Sequence, residues 1–323
     1  MNETIRVSAP GRVNLIGDHT DYTGGLVMPM TIDAFTTVIG QANTSSVWNL
    51  VSHDEVEPIS IALPIIDPHL VYPAWGRYVA GVLFELGQLG IEVHGFTGEI
   101  STTIPIGSGL SSSAALEIAI ARTALSVAHV ELPDTDIALL CQRAEHIASG
   151  VPCGIMDQLC IAVGRPNTAT LIDCHSLEVQ HIAMPDEIEV VTRFISQRTL
   201  VGSEYSDRVT DCVDIEKLIG ALRLASISDA KNINDQRLYR RARHVITENQ
   251  RVRDFALALS QKDFSAAGEL MLASHASLTN DYETSNVAMD QAVKSMMSEP
   301  GFFGARMTGG GFGGCIVGIR QRA

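Results

Sequence analysis

The amino-acid sequence predicts an α+β fold in two domains. Three observations lead there. The chain has 323 residues, against about 150 for a typical domain. Strand-like and helix-like segments mix without strict βαβ alternation, which disfavours a doubly wound sheet. Near residue 175 the pattern changes to short strands among long, polar-faced helices, so domains are expected over 1–175 and 176–323. Apolar residues make up 46% of the chain and aromatics only 5%. Full cores are therefore possible, and aliphatic side chains must fill them.

Thr4–Ser8 reads as a strand, expected to end at Ala9-Pro10-Gly11. A polar, glycine-rich loop follows, then an apolar strand over Phe35–Gly40. Trp75, Val79, Val82, Leu83 and Leu86 recur at helical spacing, placing a helix over Tyr72–Leu89. Glu99–Ile104 reads as a strand closed by Pro105. Helices are expected over Ser111–Ala128 and Asp136–Ser149, the second with Ile137, Leu140, Cys141, Ala144, Ile147 and Ala148 on one face. In the second domain, strands are expected over Ile188–Thr192 and Cys315–Ile319, and helices over Asp211–Ser226 and Arg237–Leu259.

Several function classes fall away on composition. Lysine and arginine total 23 and aspartate and glutamate 37, a net charge of −14. Nucleic-acid binders carry a basic stripe, and anionic membranes attract basic segments; neither partner is expected. The first ten residues, MNETIRVSAP, lack the basic and apolar regions of a signal peptide. Ala114–Ala128 is the most apolar helical stretch, but it carries Glu117 and Arg122 and is no membrane span. Six scattered cysteines include no CxxC pair, so zinc knuckles and redox dithiols are not indicated. Buried thiols in a cytoplasmic protein are expected. The oligomeric state is not encoded in these features.

Three glycine-containing motifs carry chemistry. The central one is Pro105-Ile-Gly-Ser-Gly-Leu-Ser-Ser-Ser-Ala-Ala115. Gly107 and Gly109 allow positive φ and close approach to a ligand. The three serines open a helix, whose unpaired N–H groups and partial positive charge suit phosphate. Hydroxyls of Ser111 to Ser113 add donors or a Mg²⁺ ligand. No GxxxxGK sequence occurs, and Ser112 replaces the third glycine of a dinucleotide fingerprint. The competing reading is an ordinary strand-to-helix turn with serine capping.

The second motif is Gly11-Arg-Val-Asn-Leu-Ile-Gly-Asp-His-Thr-Asp-Tyr-Thr-Gly-Gly25. Arg12, Asp18, His19 and Asp21 crowd between glycines and suit a polyhydroxyl ligand, which needs several polar partners at fixed angles. Two alternatives stand beside this: Asp18, His19 and Asp21 as metal ligands, though their spacing lacks the twelve-residue EF-hand pattern, and a solvated polar turn. The third is Met307-Thr-Gly-Gly-Gly-Phe-Gly-Gly-Cys315, nearly free of side chains. Flanked by strand-like residues, it reads as a floor beneath the phosphate loop rather than a spacer. A fourth stretch places Glu145 on a helix and Asp157 in a Pro/Gly-rich turn, where a side chain can be aimed at a site.

Together these motifs resemble the galactokinase family of the GHMP kinase superfamily, in order and spacing along essentially the whole chain. Trp75-Gly-Arg-Tyr78 is similar to the family's adenine-pocket aromatic pair. Residues 196–208, with Tyr205, are similar to its sugar-contacting tyrosine segment, and Ser274-His275 through Ser285 to its C-terminal helix. The resemblance implies a two-domain GHMP kinase fold with the active site in the interdomain cleft. It implies an ATP-dependent sugar 1-kinase, a phosphotransferase with an alcohol acceptor, that converts galactose and ATP to galactose 1-phosphate and ADP. Arg12 and Asp157 would be the catalytic pair. Asp18, His19, Asp21, Gly154 and Tyr205 would hold the sugar. Trp75 and Tyr78 would hold the nucleotide base, and Gly107, Ser108, Gly109, Leu110, Ser111, Ser112 and Ser113 the triphosphate. Ser113 and Glu145 would hold Mg²⁺. The implied partners are a small sugar and ATP.

The chain departs from the family's pattern at named places. Asp18 stands where the family has Glu, Thr23 where it has Asn, and Arg193-Phe194 where it has an acidic and a small residue. The family's glutamate faces the sugar's C6 end. Aspartate is shorter by about one C–C bond, ~1.5 Å, which a hydrogen bond does not span by stretching. One alternative is therefore a kinase for another sugar, L-arabinose or a longer or C6-modified one. A second is a non-catalytic sensor of sugar and ATP. The intact Ser111–Ala115 stretch, with Arg12 and Asp157 both present, argues against the sensor.

Overall fold

The computed structural model describes residues 3–197 and 204–322. It divides into two compact units. One holds Met1–Arg12, Ile32–Pro105 and Ser111–Val163; the other holds Val13–Thr31, Ile106–Leu110 and Gly164–Ala323. The main change of unit thus falls at Val163/Gly164, ahead of the expected boundary near 175. The reason lies in strand pairing, since the strand Thr168–Asp173 pairs with residues 26–30, which belong to the second unit.

The first unit contains strands β1 (Thr4–Ile16), β2 (Leu26–Asn43), β3 (Val47–Ser52) and β4 (Ile59–Ala62), then helix α1 (Gly76–Gln88), β5 (Gly95–Thr102) and helices α2 (Ser112–Ala128), α3 (Asp134–Ser149) and α4 (Met156–Val163). β1 and β2 run on into the second unit. β5 lies between β2, antiparallel, and β3, parallel, and β4 pairs with β3. The four helices pack on one another. Val79, Leu83, Ile118, Ala121, Leu140 and Cys141 are buried among them.

β1 does not stop at Pro10 as expected; it continues to Ile16. Its burial alternates up to Ala9, and Gly11 to Ile16 are all buried. A strand buried on both faces shows no period-two signal, so its sequence does not announce it. Pro10 is tolerated because β1, among the described residues, pairs with β2 alone. β2 likewise exceeds the expected Phe35–Gly40. Its first residues pair with β6 (Thr168–Asp173) and its last with β5.

The second unit adds β7 (Val179–Ala183), β8 (Ile188–Ser196), α5 (Tyr205–Ile219), α6 (Ile227–Ala230), α7 (Gln236–Ser260), α8 (Phe264–Ser277), α9 (Val287–Met297), β9 (Phe302–Met307) and β10 (Gly314–Gln321). β10 is the centre of an antiparallel sheet ordered β8-β10-β9. Ile215, Val245, Met289, Met296, Ala305 and Ile316 form its core with the helices. The helix expected over Asp211–Ser226 is α5, six residues earlier at its start and seven at its end. Tyr205 and Arg208 are buried, so packing fixes its first turns, and Gly220 at φ 81° ends it. Part of the expected tyrosine segment, 198–203, lies outside the described residues. Among the described residues, no helix is long and apolar enough to cross a membrane.

Candidate active site

In the first unit, the strongest feature is an ion pair between residues 145 positions apart. Arg12 Nε donates to Asp157 Oδ1 at 2.7 Å and Nη2 to Oδ2 at 2.6 Å. Two parallel bonds fix both planes, as a guanidinium fork does with a carboxylate. Arg12 is 2% exposed and Asp157 29%; the acid is the partner a substrate can reach. Asp157 sits in the first turn of α4, where the helix dipole favours a carboxylate. Gly154 is buried in the loop just before it.

Ser111 belongs to this pair. Its Oγ donates to Asp157 Oδ2. Ser111 sits at φ 63° before α2 and makes no side-chain cap, so the capping alternative does not hold. Among the described residues no side chain caps the start of α2, the arrangement that receives an anion. Gly107 and Gly109 precede it at φ 72° and 81°. Ser108 and Leu110 are buried, whereas Ser112 is half-buried.

Ser113 lies beside the Glu145 carboxyl, near enough to pull it down. Burial pushes Glu145 up from its ordinary value, against the pull of its neighbours Glu117 and Ser113. Glu117 is raised further, by burial first and by Glu145 next. Tyr78 is raised by burial and by Glu145 and Glu117, so its ring lies beside these acids. Trp75 is half-buried and donates its indole N–H to Glu57 O at 3.1 Å. Sequence reasoning passed over Glu117. The available signal was a lone acid four residues after Ser113 among alanines and isoleucines.

The second unit gathers Asp18, His19, Asp21 and Tyr205. Gly17, at φ +95°, begins the turn; a Cβ there would meet Leu26 O at 2.7 Å. Asp18 is fully buried. Its Oδ1 accepts from Asn14 Nδ2 at 2.5 Å and from Gly309 N at 3.2 Å, and its Oδ2 from Arg306 Nη2 at 2.6 Å. His19 Nδ1 meets Tyr22 Oη at 2.9 Å, and its ring lies 5.5 Å from Tyr205 and 4.8 Å from Tyr282. Tyr22 and Tyr282 join their hydroxyls at 2.7 Å. Asp21 occupies a short 3-10 turn and is near enough to Cys174 to raise its thiol. Tyr22, Tyr282 and Arg306 were not singled out by the sequence reading.

The glycine loop 308–314 is tied to the end of β1. Asn14 N donates to Thr308 Oγ1 at 3.1 Å, and that hydroxyl donates to Asn14 O at 2.8 Å. Phe312 N donates to Thr284 O at 2.8 Å. A Cβ at Gly311 would meet that same oxygen at 2.5 Å. The loop is therefore a wall of the Asp18 turn.

Behind Asp18 lies a buried charge network. Glu248 accepts from Gly17 N at 2.9 Å and from Ser274 Oγ at 2.6 Å. Burial pushes its carboxyl up, but Arg251, His244 and Arg306 outweigh this and hold it at about 2. Burial pushes His244 down to about 4. Both shifts set the same acid response. Unfolded His244 takes up a proton near pH 6.5 that the folded ring refuses until about 4, so stability falls as pH drops through that window. Glu248, held at about 2 against an ordinary 4.5, extends the loss to lower pH. A thermal midpoint that stays flat between these values would contradict the network.

Comparisons with known proteins agree in order along the chain. Residues 2–42 match the galactokinase galactose-binding signature, 75–165 the GHMP kinases N terminal domain and 255–322 the GHMP kinases C terminal domain. Galactokinase of Bos taurus is 39% identical over 97% of this chain and 83% of its own length. That of Actinobacillus succinogenes is 41% identical over 99% and 86%. The crystal structure of Lactococcus lactis galactokinase complexed with galactose superposes with a TM-score of 0.93 at 32% identity, covering 99% of this chain and 86% of that one. A mevalonate kinase from Methanococcus jannaschii shares the fold, with a TM-score of 0.72 at 20% identity. Identity of this level over nearly the whole length, with the signature and both domains in sequence, places the chain in the galactokinase family of the GHMP kinases.

Proposed function

We propose that the protein is an ATP-dependent sugar 1-kinase that converts galactose to galactose 1-phosphate. The observation that carries this reading is the two-bond pair between Arg12 and a partly exposed Asp157. A carboxylate has about four acceptor positions, and three on Asp157 are used by Arg12 and Ser111. The remaining one accepts the proton of the sugar's anomeric hydroxyl as its oxygen attacks the γ-phosphorus, the bond from that phosphorus to the bridging oxygen breaks, and ADP leaves. Arg12 aims the carboxylate and offsets charge growing on the transferring group. Phosphoryl transfer needs little more than positioning and charge neutralisation.

The uncapped start of α2 and the 107–113 loop bind the triphosphate. Trp75 and Tyr78 flank the base. His19, Asp21, Gly154 and Tyr205 contact the sugar, and Asp18 shapes its pocket from within its cage. The hard oxygens of Ser113 and Glu145 fit Mg²⁺, which takes one or two carboxylates plus phosphates and water. When bound, Mg²⁺ neutralises phosphate charge. The protein works in the cytoplasm on free sugar and nucleotide; Cys141 and Cys212 are buried free thiols, as a reducing compartment favours.

The test is a Mg-ATP turnover panel over galactose, L-arabinose, galactosamine, glucose and C6-extended sugars. Galactose is expected to turn over; sugar binding with an inert panel would overturn the kinase reading in favour of a sensor. A second reading, relaxed recognition at C6, rests on Asp18 being drawn back onto Arg306, Asn14 and Gly309. Asp18→Glu is then expected to raise kcat/KM for galactose relative to C6-modified sugars. An unchanged ratio, with galactose already preferred, removes that reading.

A further inference from the structure

Glu117 has no role in the reading above, yet it is the most deeply placed acid of the first unit. It lies on α2, one turn beyond Ser113, with no exposed surface. Its neighbours on that helix are Ala114, Ala115, Ile118, Ala119 and Ala121, all buried. A buried carboxylate costs stability unless its geometry is well satisfied, and an aliphatic side chain would fill the same space. One hydrogen bond and one close neighbour account for its presence. Gln158 Nε2 donates to Glu117 Oε2 at 3.0 Å, and the Glu145 carboxyl lies beside it, near enough to push it up. Its Oε1 meets no N–H or O–H donor among the described residues.

Those two contacts reach two working parts of the unit. Glu145 is the acid beside Ser113, and Gln158 directly follows Asp157 on α4. We propose that Glu117 is a positioning residue of the divalent-cation site. It fixes the Glu145 carboxyl on one side and, through Gln158, the first turn of α4 on the other, so cation ligand and base keep one spacing. This rests on the assignment of Ser113 and Glu145 to the cation. Outer partners of metal ligands typically govern metal affinity by about 10–100-fold.

The experiment titrates the full chain with Mn²⁺ in the presence of ADP, following the free-ion electron paramagnetic resonance signal. Glu117→Met removes both contacts at similar volume; Glu117→Gln can keep them; Gln158→Met cuts one anchor only. The expected result is a metal dissociation constant raised at least about tenfold in Glu117→Met and restored to within about threefold in Glu117→Gln. Metal-free ADP binding stays unchanged in Glu117→Met while metal affinity falls, a split that a merely structural role would not produce. Native metal affinity in Glu117→Met overturns the proposal. If that variant does not fold, native affinity in Gln158→Met overturns it instead. Glu145→Gln separates the two levels: loss there with native behaviour in Glu117→Met sinks only the positioning role. No loss in Glu145→Gln removes the cation site and the proposal with it.

Discussion

Asp157→Asn is expected to lower kcat by about 10³-fold, within the range that a general base contributes. Asparagine keeps the shape, and its carbonyl still accepts one of the two Arg12 bonds. Its amide cannot take up a proton from the sugar hydroxyl. Binding should therefore survive: calorimetric dissociation constants for galactose and ATP are expected to stay within about threefold, since an interaction made only in the transition state leaves ground-state binding alone. Full turnover in this variant removes the base assignment. A loss confined to sugar affinity would recast Asp157 as a binding group.

Arg306→Met should be the most destabilising single change in the second unit. Arg306 has no exposed surface and pairs with Asp18, itself 1% exposed, at 2.6 Å. It also approaches Glu248, another fully buried acid, at 3.9 Å. Removing the cation takes the charged partner at 2.6 Å from buried Asp18, while Glu248 keeps Arg251, and breaking such a buried pair costs about 3–5 kcal/mol. Urea unfolding followed by circular dichroism measures this. Asp18→Asn combined with Arg306→Met should recover part of the loss, because neighbours in one network are not additive. A loss below about 1 kcal/mol, the worth of an exposed pair, would contradict the burial argument.

The residues differ in how much of this they announce. α1, α2, α3 and α7 were legible within a few residues because each keeps a helical period and a polar or glycine end. The hidden half of β1 was not, because Gly11 to Ile16 are buried on both sides and mimic a loop rich in small and polar groups. The glycine and serine motifs marked the site, since positive φ and helix starts leave local signatures. Pairings between distant positions leave none. Arg12 with Asp157 came from motif resemblance, and Asp18 with Arg306 escaped notice across 288 residues. Glu117 was visible only as a charge that forbids a membrane span. Its partners come from two other helices that no local pattern brings together.

The central claim is that the γ-phosphoryl group of ATP goes to the anomeric oxygen of the sugar. Proton-coupled phosphorus NMR of a reaction of the enzyme with galactose and Mg-ATP reads the new ester directly. The account predicts a phosphorus signal coupled to the proton on C1, growing as ATP is consumed. An ester on any other carbon, or none while both ligands are bound, contradicts it.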